Sequence, residues 1–181
     1  MCRRERCMLA ADGVAVDNTR RYLERVLSVM RESATAPITS PVRSMGGLIG
    51  GEAAALSKFE AKTDSGTANA CIADPMLARA TTYAMAVLET NASMGRIVAA
   101  PTAGSSGVVP AMLLAAQDEH EFSDEELINA LANAAAIGYL ITRNATVAGA
   151  EGGCQAEVGA ASAMAASAAC ELFGGTPAQC F

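Results

Sequence analysis

Residues 149–175 read GAEGGCQAEVGAASAMAASAACELFGG, a glycine-rich start followed by a long run of alanine, serine and methionine. This pattern predicts a helix from Gln155 to Phe173 that Gly174 and Gly175 end, with a loop over 144–154 before it. Glycines let the backbone approach a ligand, and the first N–H groups of a helix carry partial positive charge. Cys154 is therefore a candidate nucleophile or metal ligand, and an inert thiol in a tight turn is the alternative.

The composition favours closely spaced helices in one domain. Of 181 residues, 51% are apolar but only 4% are aromatic, and alanine dominates the apolar set. Small side chains let helix backbones approach each other closely. We find no run of alternating strands and no repeat, so the fold class is predicted to be all-α, a compact bundle of small-residue-rich helices joined by Gly/Ser-rich loops.

Charge and hydropathy exclude several classes of function. The net charge is −6, and the short basic clusters near residues 3–6 and 20–25 lack interleaved aromatics, so nucleic-acid binding is not expected. No apolar run is long enough to span a membrane, and no apolar segment of a signal peptide follows the first arginines. These features predict a cytoplasmic protein, in which six cysteines without CxxC or zinc spacing would be free thiols.

Helix starts and stops can be read along most of the chain. Residues 1–15 are weakly patterned, and residues 16–181 are predicted to form the helical domain. Pro37 and Pro41 predict a loop over 33–41. The predicted helices cover Asp17 to about Arg31, a segment from near Glu52, Pro75 to about Thr90, a segment after GSSG (104–107), a segment after the Ser123–Glu126 capping box, and a last helix announced by Thr176-Pro177.

Four small-polar loops interrupt these helices: SMGGLIGGE (44–52), NASMG (91–95), PTAGSSG (101–107) and GAEGGC (149–154). If the helix starts converge, they form a pocket of backbone N–H groups and hydroxyls that suits a small anion such as a carboxylate. Ordinary helix capping explains each loop equally well when it is taken alone. The lysine of a phosphate-binding P-loop is missing, so a nucleotide site is weakly supported.

Side chains for acid–base chemistry are scarce. The single histidine, His120, lies in the acidic stretch QDEHEFSDEE and is expected to be a solvated loop residue. Glu151 and Glu157 flank Cys154, but the sequence assigns no partner to either. Residue patterns alone therefore indicate a helical domain with a small-anion pocket and one well-placed thiol.

Three motifs, SMGGLIGGEAA, NASMGRIVAAPTAGSSG and GAEGGCQAEVGAASAMAA, resemble in order the α chain of the iron–sulfur-dependent bacterial L-serine dehydratases. The resemblance covers roughly residues 40–180. It implies conversion of L-serine to pyruvate and ammonia, with a [4Fe–4S] cluster held by three cysteines acting as Lewis acid on the β-hydroxyl. It also implies a β chain or domain that carries the catalytic histidines, and an oligomeric enzyme.

The resemblance assigns roles to particular positions of this chain. Cys154 matches the first cluster ligand. The substrate-binding positions that it implies are Ser44, Gly46, Gly47, Ser93, Thr102, Gly104 and Ser105. The catalytic base is expected on the β chain.

Two departures from the family pattern matter. Ser106 stands where the family usually has a cysteine that is not a cluster ligand. Cys170 and Cys180 do not match the second and third ligands, which the family places beyond the point where this sequence ends. We therefore expect 16–181 to be a partial catalytic domain whose C-terminal part is missing, with no complete cluster. A non-catalytic remnant or interaction module that pairs with a β-type chain is the alternative, and a phosphate-binding helical protein is a third interpretation.

Overall fold

The computed structural model describes residues 16–64 and 74–181, and these ranges form seven helices and no strand. The all-α prediction is confirmed for this part of the chain. The N-terminal segment 1–15, with Cys2 and Cys7, and also Cys71 lie outside the described residues. The helices are α1 (Val16–Thr39), α2 (Glu52–Asp64), α3 (Pro75–Ala92), α4 (Val108–His120), α5 (Asp124–Asn144), α6 (Gly149–Leu172) and α7 (Pro177–Cys180).

The bundle is built around α3, α4 and α6. Helix α4 packs against both α3 and α6, α5 runs antiparallel to α6, and α1 and α2 cover α3. The core combines a few large side chains, such as Met30, Leu113 and Leu127, with many fully buried alanines on α4, α5 and α6. Because alanine adds little width, these helices approach closely, as the composition predicts.

Helix α1 is longer than the sequence predicts, and the expected loop over 33–41 is wrong. The helix continues to Thr39 with Pro37 inside it. Proline has no N–H for the carbonyl four residues earlier, here that of Ser33. The Ser33 carbonyl instead accepts a hydrogen bond from Thr90 Oγ1 on α3 at 2.9 Å, so the lost helical bond is replaced across the helix interface.

The predicted loop over 144–154 is also partly wrong, because helix α6 begins at Gly149. Thr146 Oγ1 accepts from the Ala148 N–H at 3.1 Å and donates to Glu151 Oε2 at 2.7 Å, which supports a first helical turn. That turn stops at Gly153, whose φ of 72° and ψ of 177° kink the helix. A φ of this sign favours glycine, so the long segment of α6 starts at Cys154.

The predicted starts of α3, α5 and α7 are confirmed, and the predicted ends of α3 and α6 lie within two residues of the observed ones. Asp74 caps α3 through the Met76 N–H at 3.0 Å, and Pro75 is its first residue. Ser123 and Glu126 form the predicted capping box of α5. Gly174, with φ of 79°, follows the end of α6, and Thr176 starts α7. None of the described helices is long and apolar enough to cross a membrane.

Candidate functional site

The loop between α3 and α4 is a cluster of hydroxyls fastened to α6. Thr102 Oγ1 donates to Glu157 Oε1, and it lies 3.1 Å from Ser105 Oγ. Ser105, which is almost fully buried, donates to the Ala100 carbonyl at 3.3 Å. Ser106 donates to the Ala103 carbonyl at 2.7 Å, so its hydroxyl is paired within the loop. Two predicted site residues, Thr102 and Ser105, are therefore in direct contact.

Two glycines make room for the Glu157 carboxylate. A Cβ built on Gly104 would lie 2.6 Å from Glu157 Oε1, and one on Gly149 would lie 3.1 Å from Oε2. The first distance is too short for any side chain unless the carboxylate moves. The predicted site residue Gly104 thus has a physical reason to be glycine: its hydrogen lets the start of α6 dock against the hydroxyl cluster.

The end of α3 joins the same loop. Asn91 Nδ2 donates to the Ala103 carbonyl at 3.1 Å. Ser93, a predicted site residue, follows the last residue of α3 and donates to the Thr90 carbonyl at 3.1 Å. The loops 91–95, 101–107 and 149–154 therefore come together, as the pocket hypothesis requires for three of its four members.

The fourth loop, 44–51, is organised mainly by its own contacts. Ser44 O accepts from the Gly47 N–H at 2.8 Å, and Ser44 Oγ accepts from the Ile49 N–H at 3.2 Å. Gly47 has a φ of 67°, which favours glycine there. For Gly46 and Gly47, no described heavy atom lies within 4 Å of the position a Cβ would take. Gly46 and Gly47 therefore border open space, and the hydrogen bonds described for this loop do not reach Thr102 or Cys154.

Glu89 attaches this loop region to α3. Its side chain is only 1% exposed, and Glu89 Oε1 accepts from the Ala53 N–H in the first turn of α2 at 2.7 Å. Among the described residues, Glu89 Oε2 has no hydrogen-bond partner. Glu52, which begins α2, is exposed. Hydrogen bonds from its own N–H and from that of Gly50 lower the pKa of its carboxyl, and the contacting Glu89 carboxyl and the nearby Arg43 lower it further. Two acidic groups thus flank one helix start.

Sequence reasoning missed Glu89 and left Glu157 without a partner. One signal for Glu89 was present, because it follows the buried residues Thr82 and Ala86 at helical spacing and so falls on the apolar face of α3. An acidic residue in that register is costly unless it is paired. The partners of Glu157 lie more than 50 residues away in the chain, so no local pattern reveals them.

Cys154 is exposed and directly follows the kink at Gly153. The other described thiols do not accompany it, since Cys170 lies 16 residues further along α6, about 24 Å at the rise of an α-helix. Cys180 is buried beside Cys170, and burial raises the pKa of its thiol to about 11. Within residues 16–64 and 74–181, no group of three His, Cys, Asp or Glu side chains could hold a metal ion. The described residues thus offer one thiol and not a cluster site.

His120 takes no part in this arrangement. Its ring packs on Phe173 and Phe122 with centroid separations of 5.0 and 5.8 Å. His120 is exposed, as the sequence suggested, but it is the last residue of α4 and not a loop residue, and its ring joins an aromatic cluster where α4 and α6 end. No acid–base partner for Cys154 or Ser105 comes from this histidine.

Fold and site together define an all-α domain in which the glycine-rich starts of α4 and α6 meet around hydroxyls and the Glu157 carboxylate, with one exposed thiol on the first part of α6. A family model described as serine dehydratase alpha chain matches residues 3–181. The chain belongs to this family.

Individual relatives are named as L-serine dehydratases or as alpha chains of one. The chain is 45% identical over 163 residues to the "L-serine dehydratase, alpha chain" of Peptoniphilus asaccharolyticus, covering 90% of this chain and 54% of the relative. It is 41% identical over 176 residues to the "Probable L-serine dehydratase, alpha chain" of Bacillus subtilis, covering 95% and 56%. It is 46% identical over 99 residues to "L-serine dehydratase TdcG" of Escherichia coli, covering 54% and 22%. The chain thus spans about half the length of the first two relatives.

Proposed function

We propose that this chain is part of an L-serine dehydratase that converts L-serine to pyruvate and ammonia in the cytoplasm, together with a β chain in an oligomer. The observation that carries the proposal is the Thr102–Glu157 contact, which holds the hydroxyl loop against the start of α6 next to Cys154. Family membership and the relatives' names support serine as the substrate.

The proposed chemistry is an elimination followed by hydrolysis. A base removes the Cα proton of L-serine, the β-hydroxyl leaves as water, and the resulting aminoacrylate takes up water to give pyruvate and ammonia. In this chain, the backbone N–H groups around Ser93, Thr102 and Ser105 would orient the substrate carboxylate by hydrogen bonds. Each of the three hydroxyls now donates within the protein and would exchange that partner for the substrate. Ser44, Gly46, Gly47 and Gly104 would complete the binding surface. No described side chain is placed to serve as the base, which we assign to the β chain.

We further propose Cys154 as one ligand of a [4Fe–4S] cluster. Its exposure after the Gly153 kink leaves the thiol free to reach an external group. Lewis-acid assistance to the departing hydroxyl is the chemistry that a bound cluster would supply. The described residues provide a single thiolate, so the proposal concerns Cys154 and not a complete ligand set.

The experiment uses the full-length protein, co-expressed with its β chain and reconstituted anaerobically with iron and sulfide. We expect pyruvate formation from L-serine and visible cluster absorption. Cys154→Ala should abolish both the absorption and the bound iron while the helical circular dichroism stays unchanged. The matched control is Cys170→Ala, which removes a thiol on the same helix and should keep both signals.

Three outcomes would contradict the proposals separately. Full iron content in Cys154→Ala would overturn the ligand assignment. A stable, iron-loaded complex with the β chain that forms no pyruvate from L-serine would favour a non-catalytic interaction module. Stabilisation by phosphate and not by L-serine would favour the phosphate-binding interpretation.

A further inference from the structure

We propose that Glu89 Oε2 binds the α-ammonium group of the amino-acid substrate at the start of α2. The inference rests on the proposed function and deepens it, because it names the group that recognises the amino end of the substrate. The resemblance to the dehydratase family did not single out this residue.

The first argument concerns the two oxygens of the Glu89 carboxyl, of which only one accepts a hydrogen bond. The side chain is almost fully buried, and its Oε1 is bound to the Ala53 N–H at 2.7 Å. Its Oε2 is buried as well and accepts no hydrogen bond from an N–H or hydroxyl of the described residues, and the side chain that approaches the Glu89 carboxyl is another carboxyl, that of Glu52. A buried carboxylate oxygen without a donor is strongly destabilising, and a cationic donor supplies both the hydrogen bond and the compensating charge. The geometry therefore leaves one acceptor position for a ligand.

The second argument is the sign of the surrounding charge. Glu52 begins the same helix, and the hydrogen bonds that lower its pKa keep it ionised at neutral pH. When both carboxyls are ionised they outweigh the positive charge of Arg43 and the partial positive charge of the helix start, so the site attracts a cation. An ammonium group carries three donors on a compact positive charge, which matches a single buried acceptor beside an exposed one. The substrate carboxylate is left to the hydroxyl loop.

The third argument is access. The loop 44–51 that precedes α2 is stabilised by hydrogen bonds from Gly47, Ile49 and Gly50, each to a group within the loop or to Glu52. Next to Gly46, Gly47 and Gly51 there is open space within 4 Å. The loop is packed on the backbone of Val42 and Arg43 only at Gly50, so a small ligand can approach the start of α2 past the three open glycines.

The test compares two ligands on the full-length enzyme with its β chain. L-serine has the ammonium group, and 3-hydroxypropionate is the same molecule without it. We expect Glu89→Gln, which preserves side-chain shape and an acceptor for Ala53, to raise KM for L-serine by about 10- to 100-fold, the loss of one charge-assisted hydrogen bond. The inhibition constant of 3-hydroxypropionate should change less than about 2-fold on the same argument. Glu119→Gln, on the exposed end of α4, is the matched control and should alter neither constant.

Equal weakening of both ligands, or no change in either, would overturn the inference and assign Glu89 a purely structural role. If Glu89→Gln does not fold, hydrogen exchange on the wild-type complex decides. L-serine and not 3-hydroxypropionate should then slow amide exchange over residues 44–54. Equal protection by both ligands would overturn the inference. So would the same protection by K⁺ without L-serine, because the site would then bind a simple cation and not an ammonium group. A wild-type enzyme that does not turn over L-serine would instead contradict the proposed function itself.

Discussion

At the scale of single residues, Glu157 decides how the candidate site is assembled. Its carboxylate receives the Thr102 hydroxyl and fits against two glycines that have no Cβ to obstruct it. Because it lies one helical turn after Cys154, the contact sets the position of that thiol relative to the hydroxyl loop. Glu157 is thus a positioning residue, while Cys154 and Thr102 are the groups proposed to meet the ligands.

We predict that Glu157→Ala lowers the free energy of unfolding by about 1–3 kcal/mol, because it removes the acceptor of Thr102. Glu157→Gln keeps a carbonyl acceptor and should lose less. Urea denaturation followed by circular dichroism measures both. Glu119→Ala, an exposed glutamate on α4, is the control and should stay within about 0.5 kcal/mol of wild type. Equal stability of Glu157→Ala and Glu119→Ala would show that the Thr102 contact contributes nothing.

At the scale of helices, small residues set the distances between elements. A Cβ on Gly107, at the start of α4, would lie 3.0 Å from the Ala84 carbonyl oxygen and 3.3 Å from its Cα on α3. These are backbone atoms in the middle of a helix, so they cannot rotate away. Gly107 has right-handed helical dihedral angles that any residue adopts, so its lack of a side chain serves packing and not backbone conformation.

We therefore expect Gly107→Ala to destabilise the protein by about 1–3 kcal/mol through overpacking between α3 and α4. Gly159→Ala is the matched control, because Gly159 lies within α6 and no described atom would contact its Cβ. This control should gain about 0.5–1 kcal/mol from the lower backbone entropy of alanine in a helix. Thermal unfolding of both variants gives the comparison. A Gly107→Ala variant more stable than the wild type would show that α3 and α4 can move apart at no cost in stability.

At the scale of the whole molecule, polar contacts attach α1 to the rest of the bundle. Arg31 pairs with Asp124 Oδ1 at 2.6 Å and donates to Gln117 at 3.0 Å, so one side chain joins α1 to α4 and α5. The hydrogen bond from Gln117, followed by that from Arg31, lowers the pKa of Asp124. A carboxyl with a lowered folded-state pKa stabilises the fold above its unfolded pKa and loses that contribution as the pH falls through the folded value.

Asp124→Asn should accordingly reduce stability at pH 7 and have no effect in strong acid, where the wild-type carboxyl is protonated too. The effect at pH 7 is small, because the pair is more than a third exposed and screened by solvent. Thermal unfolding of both proteins across the acid range tests this. The pKa of other carboxyls, such as that of Glu126, is also lowered in the fold. The stability of the variant therefore still falls in acid, but by less than that of the wild type. A constant difference at every pH would contradict the electrostatic explanation.

Local signals predicted most helix starts, because capping depends on residues within one turn of each other. Asp74, Ser123 and Thr176 are examples, because each was predicted correctly as a helix cap from a few neighbouring residues. Pro37 shows where local reasoning fails. The sequence shows that proline cannot donate one helical hydrogen bond. Only the packing of α1 on α3 brings the Thr90 hydroxyl to the Ser33 carbonyl as the replacement donor.

The amino-acid sequence by itself determined the all-α class, the glycine-rich loops and the family, since periodicity, capping and motif order are properties of neighbouring residues. Only the tertiary structure decided which of these loops meet. It joined Thr102 to Glu157 and buried Glu89 with one free oxygen, and it left Cys154 exposed and far from Cys170. The physical reason is that such contacts depend on how close the helices pack, which no local sequence pattern records.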